Sequence, residues 1–198
     1  MSGSPTDTTN HGASEQSDKF WSMGKISMEI EHLAEYKGSV HFEKHGHVRS
    51  VPDIVGELNS LFSAQNLAVL ATSGKTGPYG NLVAFMAGPD LKYLVFATQK
   101  ATRKFGNLLE NPLVAFVIDN RSNKIDDFIN AVAVTAMGKA FEVDSGEKEK
   151  LLLSFIDKHP HLKDFVSSPS CALVKVEIEK YVCVFRFQNV IELYPKND

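Results

Sequence analysis

Three short apolar runs follow one another between positions 67 and 98 with no helix-length segment between them. They are Leu67–Thr72 (LAVLAT), Asn81–Ala87 (NLVAFMA) and Lys92–Thr98 (KYLVFAT), separated by SGKTGPYG and GPD. Apolar runs of this length, punctuated by Gly and Pro, read as an antiparallel meander. A doubly wound parallel sheet needs a regular βαβ alternation, which these three runs exclude.

The remaining segments extend that pattern. Pro52 and Asp53 precede Ile54, Leu58, Leu61 and Phe62, a helix start with its N-terminal proline. Thr102, Phe105, Leu108 and Leu109 keep the helical period until Asn111-Pro112 stops it. Strands are predicted at Leu113–Ile118 and Ala131–Phe141, and a helix over Ser145–Lys158 with Leu151, Leu152 and Phe155 on one face. Between Cys171 and Tyr194 alternation predicts two or three further strands, through Leu173, Val174, Val176 and Ile178, then Val182, Val184, Phe185 and Phe187, then Val190, Ile191 and Leu193. The sum is a mainly β fold: a β-barrel of six or more antiparallel strands with inserted helices. Closure removes the edges that such apolar strands would otherwise expose. Phe85, Phe96, Phe116, Phe185 and Phe187 are assigned to its core.

Upstream of Val51 the reading changes. Residues 1–24 are rich in Ser, Thr, Gly, Asp and Asn and are expected to form a flexible tail. Residues 25–50 form a helical or irregular extension; Ile26, Ile30, Leu33 and Ala34 suggest a short amphipathic helix over Lys25–Tyr36. Residues 51–198 form the barrel domain. Of the 198 residues 43% are hydrophobic and 23% charged, as in an ordinary globular protein. The formal net charge of −3 counts against nucleic acid as a partner. Cys171 and Cys183 sit in apolar sequence outside any CxxC motif and read as buried free thiols. No apolar run nears the ~20 residues that span a bilayer, and the N-terminus has no signal-peptide pattern. The expectation is a cytoplasmic protein with no membrane contact.

Chemistry concentrates in Val95–Pro112, VFATQKATRKFGNLLENP, which runs strand, loop, helix start. A helix N-terminus offers unpaired N–H groups and the positive end of a dipole, and so favours an anion. Thr98 and Thr102 bring hydroxyls, Arg103 a fork for two phosphate oxygens, and Lys104 a compact charge. Cations in a helix's first turn are mildly unfavourable unless an anion joins them. Two readings stay open on these residues alone: solvated surface charges, or an anion grip.

This segment, with LAVLATSGKTGPYGNLVAFMA before it, resembles the pyridoxamine 5'-phosphate oxidase-like FMN-binding split β-barrel superfamily. The shared features are an aromatic strand ending in Thr (Phe96, Thr98), a hydroxyl followed by basic residues (Thr102, Arg103, Lys104), Asn107-Leu108 and Asn111-Pro112. The resemblance spans roughly residues 51–194. It implies an FMN-dependent oxidoreductase, with a small-molecule electron donor and acceptor. The flavin phosphate falls to Thr102, Arg103 and Lys104, with Thr98 and Ala97 beside the phosphate or ribityl chain. The isoalloxazine ring lies along Asn81, Leu82, Val83 and Ala84. A homodimer with the cofactor site at its interface is implied as well. A non-enzymatic FMN- or haem-binding protein of the same fold is the alternative, and a deazaflavin is the third cofactor. The chain departs from authentic pyridoxamine-phosphate oxidases at its end, FQNVIELYPKND, which has no substrate-binding arginine segment. At Asn81 those oxidases have a phosphate-binding arginine. Vitamin B6 oxidation is therefore not expected.

No catalytic acid, base or nucleophile is assigned. Asp119, Asp126, Asp127 and Glu142 read as solvated. His41, His45 and His47 cluster, and His159 and His161 flank Pro160, but no Cys or carboxylate joins them at zinc spacing, so no metal site is predicted.

Overall fold

A computed structural model describes residues 26–29, 38–43, 51–185 and 189–195. Nine strands form one sheet: β1 (Ile26–Glu29), β2 (Gly38–Glu43), β3 (Leu67–Gly74), β4 (Gly77–Ala87), β5 (Tyr93–Gln99), β6 (Leu113–Asp119), β7 (Val132–Glu142), β8 (Cys171–Phe185) and β9 (Asn189–Pro195). All pairings are antiparallel, in the order β1-β2-β9-β8-β5-β4-β3-β6-β7. A further β7–β8 ladder closes β8-β5-β4-β3-β6-β7 into a six-stranded barrel. The expected barrel of six or more antiparallel strands is therefore the observed fold.

Among the described residues the α-helices are α1 (Val51–Ala64), α2 (Arg103–Glu110), α3 (Asp127–Asn130), α4 (Ser145–Lys158) and α5 (Lys163–Val166). α1 and α2 plug the barrel: Ile54, Leu58, Leu61 and Phe62 of α1, and Phe105 and Leu108 of α2, join the inward strand residues in one core. Phe85, Phe96, Phe116 and Phe185 lie in that core, as expected; Phe187 is outside the described residues. α4 lies outside the barrel wall, where Leu151 and Phe155 pack on Met86, Val95 and Leu173 in a second core.

The upstream expectation is corrected in part. Ile26–Glu29, within the segment read as a helix, is a strand, held by the ladder to β2, which in turn pairs with β9. Backbone pairing overrides a weak local helical period. The tail at 1–24, His45 and His47 lie outside the described residues. The two or three strands expected over Cys171–Tyr194 are two, because β8 runs unbroken for 15 residues. Its inward residues are Val174, Val176 and Ile178, then Tyr181, Cys183 and Phe185. The phase changes at a register shift where Met137 faces Lys180 and Gly138 faces Ile178, leaving Glu179 as an inserted residue.

Cys171 and Cys183 are buried free thiols, as expected, and burial pushes the Cys183 thiol up to about 12. Among the described residues no helix is long and apolar enough to cross a membrane.

Candidate functional site

The barrel wall opens beside the segment that carries the basic residues. The β4–β5 ladder pairs Ala87 with Leu94, Met86 with Val95 and Phe85 with Phe96, and stops there. Beyond it, Asn81–Ala84 on β4 and Ala97–Gln99 on β5 separate, so no β5 partner takes the peptide groups of that stretch of β4. Strands that part inside an otherwise continuous wall leave a slot edged by free backbone donors and acceptors.

Asn81 faces into this slot. On β4 the residues Asn81, Val83 and Phe85 share the inward face, with Val83 and Phe85 buried. Both the Nδ2 and the Oδ1 of Asn81 are buried and have no hydrogen-bond partner. A buried amide left unpaired costs about 1–3 kcal/mol, so both its donor and its acceptor are unused at this position. Leu82, 65% exposed, points to the outer face, and Ala84 lies on that face too.

Across the slot, Thr98 is buried on the inward face of β5. Its Oγ1 lies 3.0 Å from the Oγ1 of Thr102. Thr102 is the N-cap of α2: its hydroxyl accepts from the Phe105 N–H and donates to the Gln99 carbonyl at 2.8 Å. That hydroxyl is therefore committed to shaping the loop, and the Thr98–Thr102 pair braces the helix start. Ala97 sits half-buried beside Thr98 on the outer face.

The two cations of α2's first turn stand differently. Arg103 is exposed and reaches the β3–β4 hairpin, where Nη2 donates to Thr76 Oγ1 at 2.6 Å and the guanidinium carbon lies 4.7 Å over the Tyr79 ring. Lys104 is half-buried, and desolvation lowers its ammonium below the ordinary lysine value. Among the described residues neither has a carboxylate within ion-pair distance. α2 has no acidic residue in its first turn. Positive charge with no protein counter-ion gathers at a helix N-terminus beside the slot.

Asn107, one turn further on, is buried; its Nδ2 donates to Thr72 Oγ1 at 3.0 Å, fixing α2 against β3. Glu110 accepts from the Lys75 N–H at 3.1 Å. The backbone passes close here: a Cβ on Gly74 would meet Asn107 Oδ1 at 2.5 Å. The structure thus brings Asn81, Thr98, Thr102, Arg103 and Lys104 to one end of the barrel. It adds Thr76 and Tyr79, which meet Arg103 from the β3–β4 hairpin and leave no local trace in the sequence, and it gives Asn107 a role through Thr72, 35 positions away. Val83 is a core residue, its side chain packed inside the barrel.

The remaining residues weighed from the sequence fall elsewhere. His159 is buried, with Nε2 2.8 Å from the Phe85 carbonyl, and no group of three or more metal-ligating side chains occurs among the described residues. Asp127 accepts from Ser122 and Lys124 N–H groups, Asp119 pairs with Arg121 and Glu142 with Lys100.

Comparison with known proteins places the fold. Solved structures of similar shape include a heme binding protein from Mycobacterium smegmatis, 18% identical with a TM-score of 0.63, the match covering 73% of this chain and 58% of that one. HutZ, the heme storage protein of Vibrio cholerae, is 16% identical with a TM-score of 0.57, covering 66% and 93%. An FAD-binding protein from Mesorhizobium loti is 16% identical with a TM-score of 0.52, covering 79% and 98%. Identities this low speak to fold alone. No curated protein sequence matches the chain. Residues 54–182, well over half of the chain and including the slot and α2, match the sequence profile of pyridoxamine 5'-phosphate oxidase, and the chain belongs to that family.

Proposed function

We propose that the protein is an FMN-dependent oxidoreductase, with the flavin phosphate at the start of α2 and the isoalloxazine ring along β4. The observation that carries this reading is the coincidence of two unmet demands in one place. Arg103 and Lys104 have no counter-ion among the described residues, and the buried amide of Asn81, on the same strand as the Tyr79 ring under Arg103, has no partner. A phosphorylated, hydrogen-bonding cofactor answers both. Arg103 and Lys104 would hold the phosphate, supported by the N–H groups of the helix start. Thr98 and Thr102 would shape the loop around it. Those peptide groups of Asn81–Ala84 that point away from β3 would meet the polar edge of the ring.

When bound, the flavin supplies hydride or electron transfer, and the protein supplies binding, orientation and electrostatics. Haem is the second reading, favoured by structural neighbours that bind or store it. Against it, the buried histidine His159 is turned to the Phe85 carbonyl.

A homodimer completes the proposal. The outward residues of four adjacent strands are aligned by register: Leu82, Val69, Val117 and Thr135 form one row, and Gly80, Ala71, Ala115 and Met137 the next. Leu67, Leu82 and Leu113 are each more than half exposed. A smooth apolar sheet face of this kind matches a second copy of itself, and it borders the slot at Leu82.

The purified protein is expected to be yellow or to take up FMN, and Arg103→Ala with Lys104→Ala to weaken that binding by about a hundredfold, as two charge-assisted contacts would. A protein that neither carries nor binds FMN overturns the proposal; a Soret band in place of flavin bands moves it to haem.

A further inference from the structure

A cleft of about 320 Å³ lies between α1, α4 and the β4–β5 turn, away from the slot. Its walls mix apolar Phe62 and Met86 with polar Asn59, Ser63, Tyr93 and Lys158. Lys158, the last residue of α4, is half-buried. Its ammonium donates to the carbonyls of Phe62 at 2.6 Å and Gln65 at 3.0 Å, at the end of α1, and lies 4.3 Å over the Phe85 ring.

Those partners leave the site electrically unbalanced. Two neutral carbonyls occupy two of the three N–H groups, and no carboxylate among the described residues stands within ion-pair distance. Burial accordingly lowers the Lys158 pKa to about 8. A half-buried charge is normally paired. Around the same cleft the side chains of Asn59, Ser63 and Tyr93 make no hydrogen bond among the described residues, so they are free to receive a ligand. A concave site of roughly 300 Å³ or more, with an apolar wall and a few convergent polar groups, is the form small-molecule sites take.

We propose that this cleft is a second small-molecule site, taking a compact organic acid whose carboxylate pairs with Lys158 and whose apolar body lies on Phe62 and Met86. The acid supplies the missing counter-charge without disturbing the two carbonyl bonds, and the amide of Asn59 and hydroxyls of Ser63 and Tyr93 take its remaining oxygen lone pairs. The site is independent of the flavin reading, because none of its residues belongs to α2 or to the Asn81–Ala84 stretch.

The test is a titration of the full chain with benzoate and with the neutral benzamide, followed by amide and side-chain NMR shifts. Benzoate is expected to give saturable shifts at the Asn59 side chain and at α1 and α4, with benzamide at least about tenfold weaker for want of the ion pair. Lys158→Met should abolish the difference between the two ligands. Because Lys158 also ties α4 to α1, Ser63→Phe provides a second variant, which fills the cleft from an exposed position and should block both ligands while the fold stays intact. Absence of saturable shifts, equal binding of the acid and the amide, or undiminished binding in Ser63→Phe would overturn the proposal.

Discussion

Asn107 ties α2 to the barrel through a buried contact with Thr72, alongside the core contacts of Phe105 and Leu108 and the hydrogen bonds of Arg103 and Glu110. Thr72 in turn reaches the Tyr79 carbonyl at 3.3 Å, so the amide also steadies the hairpin on which Arg103 rests. Asn107→Ala removes the donor and leaves a gap beside Gly74. We expect a loss of about 1–3 kcal/mol in urea unfolding, the cost of breaking a buried hydrogen bond, together with weaker FMN uptake. Unchanged stability would mean that α2 is seated by Phe105 and Leu108 alone. Arg103, Lys104 and the two threonines were legible from the sequence because they occupy one loop and one helical turn. Tyr79, Thr76 and the Thr72 contact of Asn107 were not, since they depend on contact across the barrel end. The unpartnered state of Asn81 likewise belongs to the splitting of two strands, which no residue pattern announces.

Among the elements, α4 ends in a pair of residues that face inward, against the habit of helix C-termini to end in solvent. Lys158 closes on α1, and His159, 1% exposed, sits against Phe155 and the Phe85 carbonyl. Burial lowers the His159 imidazole below its ordinary 6.5. Above that pH the ring is neutral in both folded and unfolded chains and costs nothing. As the pH falls below it the unfolded chain takes up the proton first, so stability is lost until the folded protein protonates as well. Urea midpoints measured from pH 8 down to pH 5 should therefore fall, and His159→Gln should flatten that decline; an equal decline in the variant would assign it to other groups. α4 was legible because Leu151, Leu152 and Phe155 keep helical spacing. The choice between two strands and three over Cys171–Tyr194 stayed open because the inward residues of β8 change parity at Glu179, which a strict period of two interprets as the end of a strand. The segment Ile26–Glu29 was misread for a complementary reason: its apolar spacing is too short to decide between periods, and pairing with β2 settles it.

The molecule as a whole presents one barrel with two very different exteriors. One side is sealed by α4; the other, across β4, β3, β6 and β7, is a smooth apolar face with charges only at its margins, Asp119 and Lys139. If that face is the dimer contact proposed above, Val117→Glu, near its centre, should halve the mass seen in sedimentation. FMN binding should fall with it, because the slot borders the same face. A variant that stays dimeric would place the contact elsewhere. Both the barrel and its closure could be anticipated from the meander, since apolar strands of this length need their edges covered. The second exterior could not, because a residue's outward direction becomes apparent only once the registers are fixed.

Glu179 has a wider consequence. As the supernumerary residue of β8 it lies where that strand leaves β5 behind and takes up β9, while β7 follows it on the other side. Gly138, opposite, leaves room for the buckle, since a Cβ there would come within 2.0 Å of the Glu177 carbonyl. Insertion of one residue at such a joint turns the outgoing half of the strand without exchanging its inner and outer side chains relative to β7. Deletion of Glu179 would leave Tyr181, Cys183 and Phe185 opposite Ala136, Val134 and Val132 with the same faces inward, so the joint sets the lean of the appended strands and not the filling of the interior.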